Sequence, residues 1–165
     1  MSVELAQRAA RVLGAARERN LTLVTAESCT GGALSVLLSE APGASDTFHG
    51  GFVVYTKQNK TAALGIPEIL FKEHTAVSDA VAKAMAMGAL ASSPADLAAA
   101  ITGVAGPEPD EDGNPVSLVH VAVAARDGAV LHEAHSFGRL SRGEIIENAI
   151  AGALKLLERA ISGDE

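Results

Sequence analysis

Leu97-Ala98-Ala99-Ala100-Ile101-Thr102 runs without a break into Gly103-Val104-Ala105-Gly106-Pro107, an apolar strand that ends in a loop of glycines and small residues. A strand with no polar alternation has no wet face, so it belongs inside a sheet covered on both sides. Downstream, strand-like runs over 117–125 and 129–137 flank Asp127-Gly128, a two-residue hairpin signal with Arg126 leading in. Upstream, Leu5, Ala9, Val12, Leu13 and Ala16 keep helical spacing over 3–18 behind Ser2 as candidate cap. Leu21-Thr22-Leu23-Val24-Thr25 is short and β-branched, and 34–38 is apolar with helical character, which makes a strand, loop and helix unit around Glu27-Ser28-Cys29-Thr30-Gly31-Gly32. Gly50-Gly51 precedes a second strand over 52–55, and Ser78-Asp79 caps a helix with Val81, Ala82, Met85, Ala89 and Leu90 on its apolar face. Ser141-Arg142-Gly143-Glu144 reads as a capping box opening a last helix that ends near Gly163, with Ile145, Ile146, Ala149, Ile150, Ala153, Leu154 and Leu157 as its stripe. The order α, β, α, β, α, β, β, β, α predicts an α/β chain: one layered α/β/α domain across 1–165, with a mixed sheet including one antiparallel hairpin. The turn-forming segment 108–115 is expected to be the least ordered.

Composition removes several function classes. Hydrophobic residues at 48% and charged residues at 20% of 165 leave no signature of disorder. Aromatic residues amount to 3% with no Trp, the net charge is −7, and no Lys/Arg run appears, so neither base stacking nor backbone electrostatics favours nucleic acid. No stretch approaches the ~20 apolar residues that span a bilayer, and no leader pattern opens the chain, which predicts a cytoplasmic protein without a membrane partner. Cys29 is the one cysteine, so there is no internal disulfide and no thiol pair for zinc or redox chemistry. Asp110, Asp112 and Asn114 alternate, but Gly113 and Val121 fail the calcium-loop pattern. No metal and no organic cofactor is expected.

Three loops rich in small and hydroxyl residues follow strands, at 26–32, 55–60 and 102–107, and in α/β sheets such loops converge on one crevice. Ser28 lies outside the first turn of its helix and is free to face a pocket, while Thr30 divides between helix cap and ligand contact; Gly31 and Gly32 open a helix N-terminus that attracts anions. A serine nucleophile needs a base. His120, His132 and His135 fall on the hairpin strands and read as packing or surface residues, which leaves Lys60 as the candidate once desolvation lowers its proton affinity. Lys57, three residues away, reads as an ordinary solvated lysine. Arg139 and Arg142 at a helix start are either exposed or reach for an anion.

Together, Thr25-Ala26-Glu27-Ser28-Cys29-Thr30-Gly31-Gly32, Gly50-Gly51, Tyr55 and Lys60 before Leu64-Gly65-Ile66, Ala76-Val77-Ser78, and Ile101-Thr102-Gly103-Val104-Ala105-Gly106-Pro107 resemble the C-terminal domain of the competence/damage-inducible protein CinA, over roughly 5–160. That resemblance implies an amidohydrolase converting nicotinamide mononucleotide to nicotinic acid mononucleotide and ammonia in pyridine-nucleotide salvage. It implies Ser28, Tyr55, Lys60 and Thr102 as catalytic, and Ser45, Gly103, Gly106 and Arg142, beside Thr30, Gly31 and Gly32, as contacts for a small nucleotide substrate. The chain departs from the family pattern in four places: Lys57 stands where an asparagine is usual, 108–112 replaces a glycine-rich stretch, Ser117 replaces a glycine, and Ile146 replaces a second arginine. The alternative in another class is a catalytically weak nucleotide-binding or protein-interaction module. A free hairpin edge, with Leu156 and Ile161 beside Leu154 and Leu157 on the last helix, further predicts a homo-oligomer.

Overall fold

The computed structural model describes residues 1–164. Helix α1, Val3–Glu18, starts where the Ser2 side chain accepts from the Leu5 N–H, and leads into strand β1, Leu23–Glu27. Two helices follow, α2, Ala33–Glu40, and the single turn α3, Ala44–Thr47, then β2, Phe48–Val53. Helices α4, Lys57–Leu64, α5, Glu68–His74, and α6, Asp79–Ala91, precede β3, Leu97–Gly103. The hairpin β4, Leu118–Ala125, and β5, Val130–Ser136, runs into the long α7, Arg142–Ser162.

The strands lie in the order β2-β1-β3-β4-β5. β1 pairs in parallel with β2 and β3, while β3–β4 and β4–β5 are antiparallel, so the sheet is mixed as the sequence predicts. Strand alternation sorts the core into two layers. Leu23, Leu97, Ala99, Ile101, Val119, Val121 and Val123 face α1, α2 and α7. Val24, Ala26, Ala98, Ala100, Ala122 and Ala124 face α6 with α4 and α5 behind it. The second face is nearly all alanine, which lets α6 settle close to the sheet and brings α4 near the ends of β1 and β3.

Several elements differ from the expectation. β1 begins two residues late because Thr22 is engaged with Asp96: its N–H and hydroxyl donate to Asp96 Oδ2 at 2.8 and 3.0 Å. That shift carries Glu27 to the strand's end. β2 begins at Phe48 and contains both glycines; a Cβ on Gly51 would collide with the hydroxyls of Ser35 and Thr25, so the pairing with β1 requires glycine there. The stretch after Tyr55 is not a loop but α4, capped by Thr56, whose side chain accepts from Asn59 N–H, and closed by Gly65 at φ 68°. The segment 108–115 is also more constrained than its composition suggests. Asp110 accepts from the N–H groups of Asp112 and Asn114 at 3.1 and 2.7 Å and from Asn114 Nδ2 at 2.8 Å.

On α7, Leu156 and Ile161 are 0% and 3% exposed, covered within the chain by the layer that α1 completes. The argument for an oligomer from this helix therefore falls, and only the sheet edges remain.

Gly88 of α6 packs against Leu64 so closely that a Cβ would strike the Leu64 carbonyl oxygen. Glycine to alanine inside a helix ordinarily stabilises by roughly 1 kcal/mol. Here Gly88→Ala is expected to lower the melting temperature, because the clash falls on backbone at the C-terminus of α4; a rise in a thermal denaturation scan would contradict the α4–α6 packing.

Candidate active site

The turn after β1 is built around a buried carboxylate. Glu27 Oε2 accepts from Thr30 Oγ1 at 2.6 Å, Gly32 N at 3.2 Å and Leu34 N at 3.0 Å, and Oε1 accepts from Ser35 N at 2.8 Å and Ser35 Oγ at 2.7 Å. Glu27 thus caps α2 in place of any side chain at Gly32, which is left-handed at φ 99°. The helix N-terminus read as an anion site is already filled by the chain's own anion. Gly31 N donates to Ser28 O at 3.1 Å, so it too is engaged. Thr30, Gly31 and Gly32 stand behind the site rather than in its wall, and Ser45 lies on α3, also outside the wall.

This cap holds Ser28 forward, its N–H bonded to Ile101 O at 3.0 Å across to β3. Helix α4 brings Lys60 to meet it. Lys60 is 1% exposed, and its Nζ donates to Ser28 Oγ at 3.0 Å and to the Tyr55 carbonyl at 3.3 Å. Burial removes water from the ammonium and, aided by the nearby charge of Lys57, lowers its pKa from 10.5 to about 8. Cys29, adjacent, is pushed the other way, up to about 12 by burial, so its thiol stays protonated.

Ser28, Cys29, Tyr55, Lys57, Lys60, Ala76, Val77, Thr102, Gly103, Gly106 and Arg142 line one cavity of about 520 Å³, with Glu108, Asp110 and Glu111 along one side. Gly103 is needed for close approach, since a Cβ would lie 2.7 Å from Val119 Cγ2. Arg142, the first residue of α7, reaches across to donate to Gly106 O at 2.7 Å and to Tyr55 Oη at 3.4 Å. The Tyr55 ring is 58% exposed at the rim; it is the Tyr55 carbonyl, not the phenol, that meets Lys60. Thr102 Oγ1 donates to Ala76 O at 2.8 Å, which makes it a support for the wall at 75–77.

Two features escaped the sequence reading. Glu27 carried a signal, an acidic residue between an apolar strand and the glycines of a helix start, but the strand boundary hid it. Lys57 is not a free solvated lysine; its Nζ contacts Asp112 Oδ1 at 2.7 Å and Glu111 Oε1 at 3.1 Å. His120 and His132 stack away from the cavity, with Nδ1 and Nε2 2.9 Å apart. Among the described residues, no group of three or more His, Cys, Asp or Glu side chains is placed to hold a metal ion.

A hydroxyl hydrogen-bonded to a buried amine of lowered basicity is an arrangement able to activate the hydroxyl for attack. The lowered value also has a stability consequence of fixed sign. The unfolded lysine binds its proton up to about 10.5 and the folded one only to about 8, so the burial cost is full below pH 8 and fades between the two values. Lys60→Met is expected to be more stable relative to the parent at pH 7 than at pH 10; denaturant midpoints whose difference is flat across that window would refute the desolvation.

A family model described as the CinA C-terminal domain matches residues 5–161. A CinA-like protein of Frankia casuarinae is 42% identical over 152 residues, 92% of this chain and 34% of that protein. One from Synechococcus sp. (strain RCC307) is 44% identical over 146 residues, 88% of this chain and 35% of that protein. The chain spans about a third of the length of the curated relatives it matches. Among solved structures, the competence/damage inducible protein CihA from Agrobacterium tumefaciens superposes with a TM-score of 0.92 at 38% identity, covering 98% of this chain and 99% of that one. A CinA-superfamily protein from Klebsiella pneumoniae gives 0.92 at 31% identity, covering 96% and 98%.

Proposed function

This chain belongs to the CinA C-terminal domain family, and on that premise we propose that it is an amidohydrolase acting on the carboxamide of nicotinamide mononucleotide, releasing ammonia and nicotinic acid mononucleotide. The observation that carries the reading is the 3.0 Å hydrogen bond between Lys60 Nζ and Ser28 Oγ at the floor of the cavity.

Neutral Lys60 takes the Ser28 proton as Oγ attacks the carboxamide carbon, and the backbone N–H groups of Ala105 and Gly106, beyond the Val104 N–H that Leu118 O takes, stabilise the oxyanion. The Gly31 N–H takes no part, being committed to Ser28 O. The tetrahedral adduct collapses by breaking the C–N bond, with Lys60 returning the proton to the departing ammonia. Water then attacks the seryl ester, again with Lys60 as base, and the acid leaves while Ser28 regains its proton. Arg142 at the rim, with two partners that are both uncharged, retains its positive charge for a substrate phosphate. The protein is proposed to work in the cytoplasm.

Ser28→Ala is expected to fold normally and to lose ammonia release from nicotinamide mononucleotide by at least about 10³-fold, with Lys60→Ala close behind and Lys57→Ala much less affected. The parent rate should rise with pH toward a plateau above about 8 as Lys60 loses its proton. Binding of the nucleotide without ammonia release by the parent protein would favour the alternative, a nucleotide-binding module of the same fold.

We also propose a homo-oligomer, now on the outer edges of β2 and β5 and on Val36, Val53 and Tyr55, which are 52%, 48% and 58% exposed. Light scattering at micromolar concentration should give more than the mass of one chain; the mass of one chain, unchanged on dilution, would refute it.

A further inference from the structure

Two of the four departures from the family pattern touch each other. Lys57 takes the usual asparagine's place on α4, the acidic segment takes the glycine-rich stretch's place, and the structure joins them through the 2.7 Å bond from Lys57 Nζ to Asp112 Oδ1. Asp112 turns its other oxygen to the Ala76 N–H at 3.2 Å. One carboxylate therefore ties three segments: the start of α4, the acidic segment and the wall at 75–77. The attraction is felt by both partners, with Lys57 held above the usual lysine range and Asp112 below the usual carboxylate range by their mutual hydrogen bond. Asn114 completes the tie by donating to Thr75 Oγ1 at 3.1 Å.

Behind this junction lies a second cavity, of about 680 Å³. Lys57 and Gln58 line both spaces; Asp112 faces the second and Glu111 the first. Phe71 and Ala62 give the second cavity an apolar floor, with Thr61 and Lys72 among its polar groups. A space of about 520 Å³ holds one ligand of ordinary small-molecule size, and the two spaces together have room for a ligand made of two such units. Arg142 and Lys60 belong to the first space alone, and Lys57, with Gln58, stands on the boundary the two spaces share, so a ligand held at Ser28 that extends into the second space passes Lys57 and its partner Asp112.

We infer that Lys57 and Asp112 form a partition that sets the size of the amide substrate, admitting a pyridinium-carboxamide mononucleotide and excluding the corresponding dinucleotide, whose second nucleoside would need the second cavity. This rests on the amidohydrolase reading for its substrate class but not for its geometry. The chemistry of the second space suits that second unit: a flat base on Phe71, polar edges toward Gln58 and Thr61, and a phosphate near Lys72. Lys57 and Asp112 are positioning and specificity residues and take no proton in the reaction.

The test compares Lys57→Ala, Asp112→Asn and the exchanged pair Lys57→Asp with Asp112→Lys, using nicotinamide mononucleotide and nicotinamide adenine dinucleotide as probes. The ratio of kcat/KM for dinucleotide over mononucleotide is expected to rise at least 10-fold in each single variant, through the dinucleotide KM, and to fall back in the exchanged pair. The same substitutions on a Ser28→Ala background, read by calorimetric binding of the dinucleotide, should show the same ordering without turnover. Unchanged ratios and unchanged dinucleotide affinity in both single variants, with melting curves showing that they are folded, would overturn the partition. Tighter dinucleotide binding in the variants with no ammonia from either compound in Ser28-intact protein would support the partition and sink the amidohydrolase reading instead.

Discussion

A carboxylate buried at the end of β1 organises everything around it. Glu27 is fully enclosed, and an enclosed anion survives only where donors replace the water it gave up. Five bonds do so, three of them from N–H groups at the start of α2 that would otherwise be orphaned. Each such orphan would cost about 1–3 kcal/mol, so the cap and the anion stabilise each other. Because the carboxylate draws the 30–35 backbone inward, the preceding Ser28 is left at the cavity floor, while Cys29 packs into the core with Leu34 and Leu38. The position of the Ser28 hydroxyl follows from a group that does not itself line the cavity.

The second constraint is the burial of Lys60. Its side chain is enclosed almost completely, and its amine ends beside neutral groups: a serine hydroxyl and a backbone carbonyl. Among the described residues no carboxylate is within ion-pair distance, so desolvation wins and the ammonium is weakened. Three residues earlier on the same helix, Lys57 has the opposite fate, because Asp112 and Glu111 neutralise it at an edge still reached by water. Two lysines of one short helix thus become a buried amine of lowered basicity and an ion-paired cation by what faces them.

Much of the architecture was legible along the chain because it rests on local periodicity. The apolar run of β3, the Asp127-Gly128 turn, the capping box at Ser141 and the stripe of α7 each declare themselves within a dozen residues. The short helices did not: α4 has a polar exterior and only Lys60 and Leu64 buried, so its apolar spacing is too weak to mark it. Lys60 appeared to sit in a loop for the same reason.

The sequence by itself determined the mixed α/β sheet, the three strand ends that meet at the cavity, and a short set of residues able to do chemistry, since residue type, turn chemistry and hydrophobic period are local properties. Only the tertiary structure decided which of those residues face one another. It turned Thr30, Gly31 and Gly32 toward Glu27 and left the Tyr55 phenol at the rim with Arg142. It set Thr102 beneath Ala76 and joined Lys57 to Asp112 across 55 residues of chain. Charge and hydrogen-bond partnerships between distant segments depend on how the layers pack and on which groups packing strips of water, and neither is written in any single stretch of the chain.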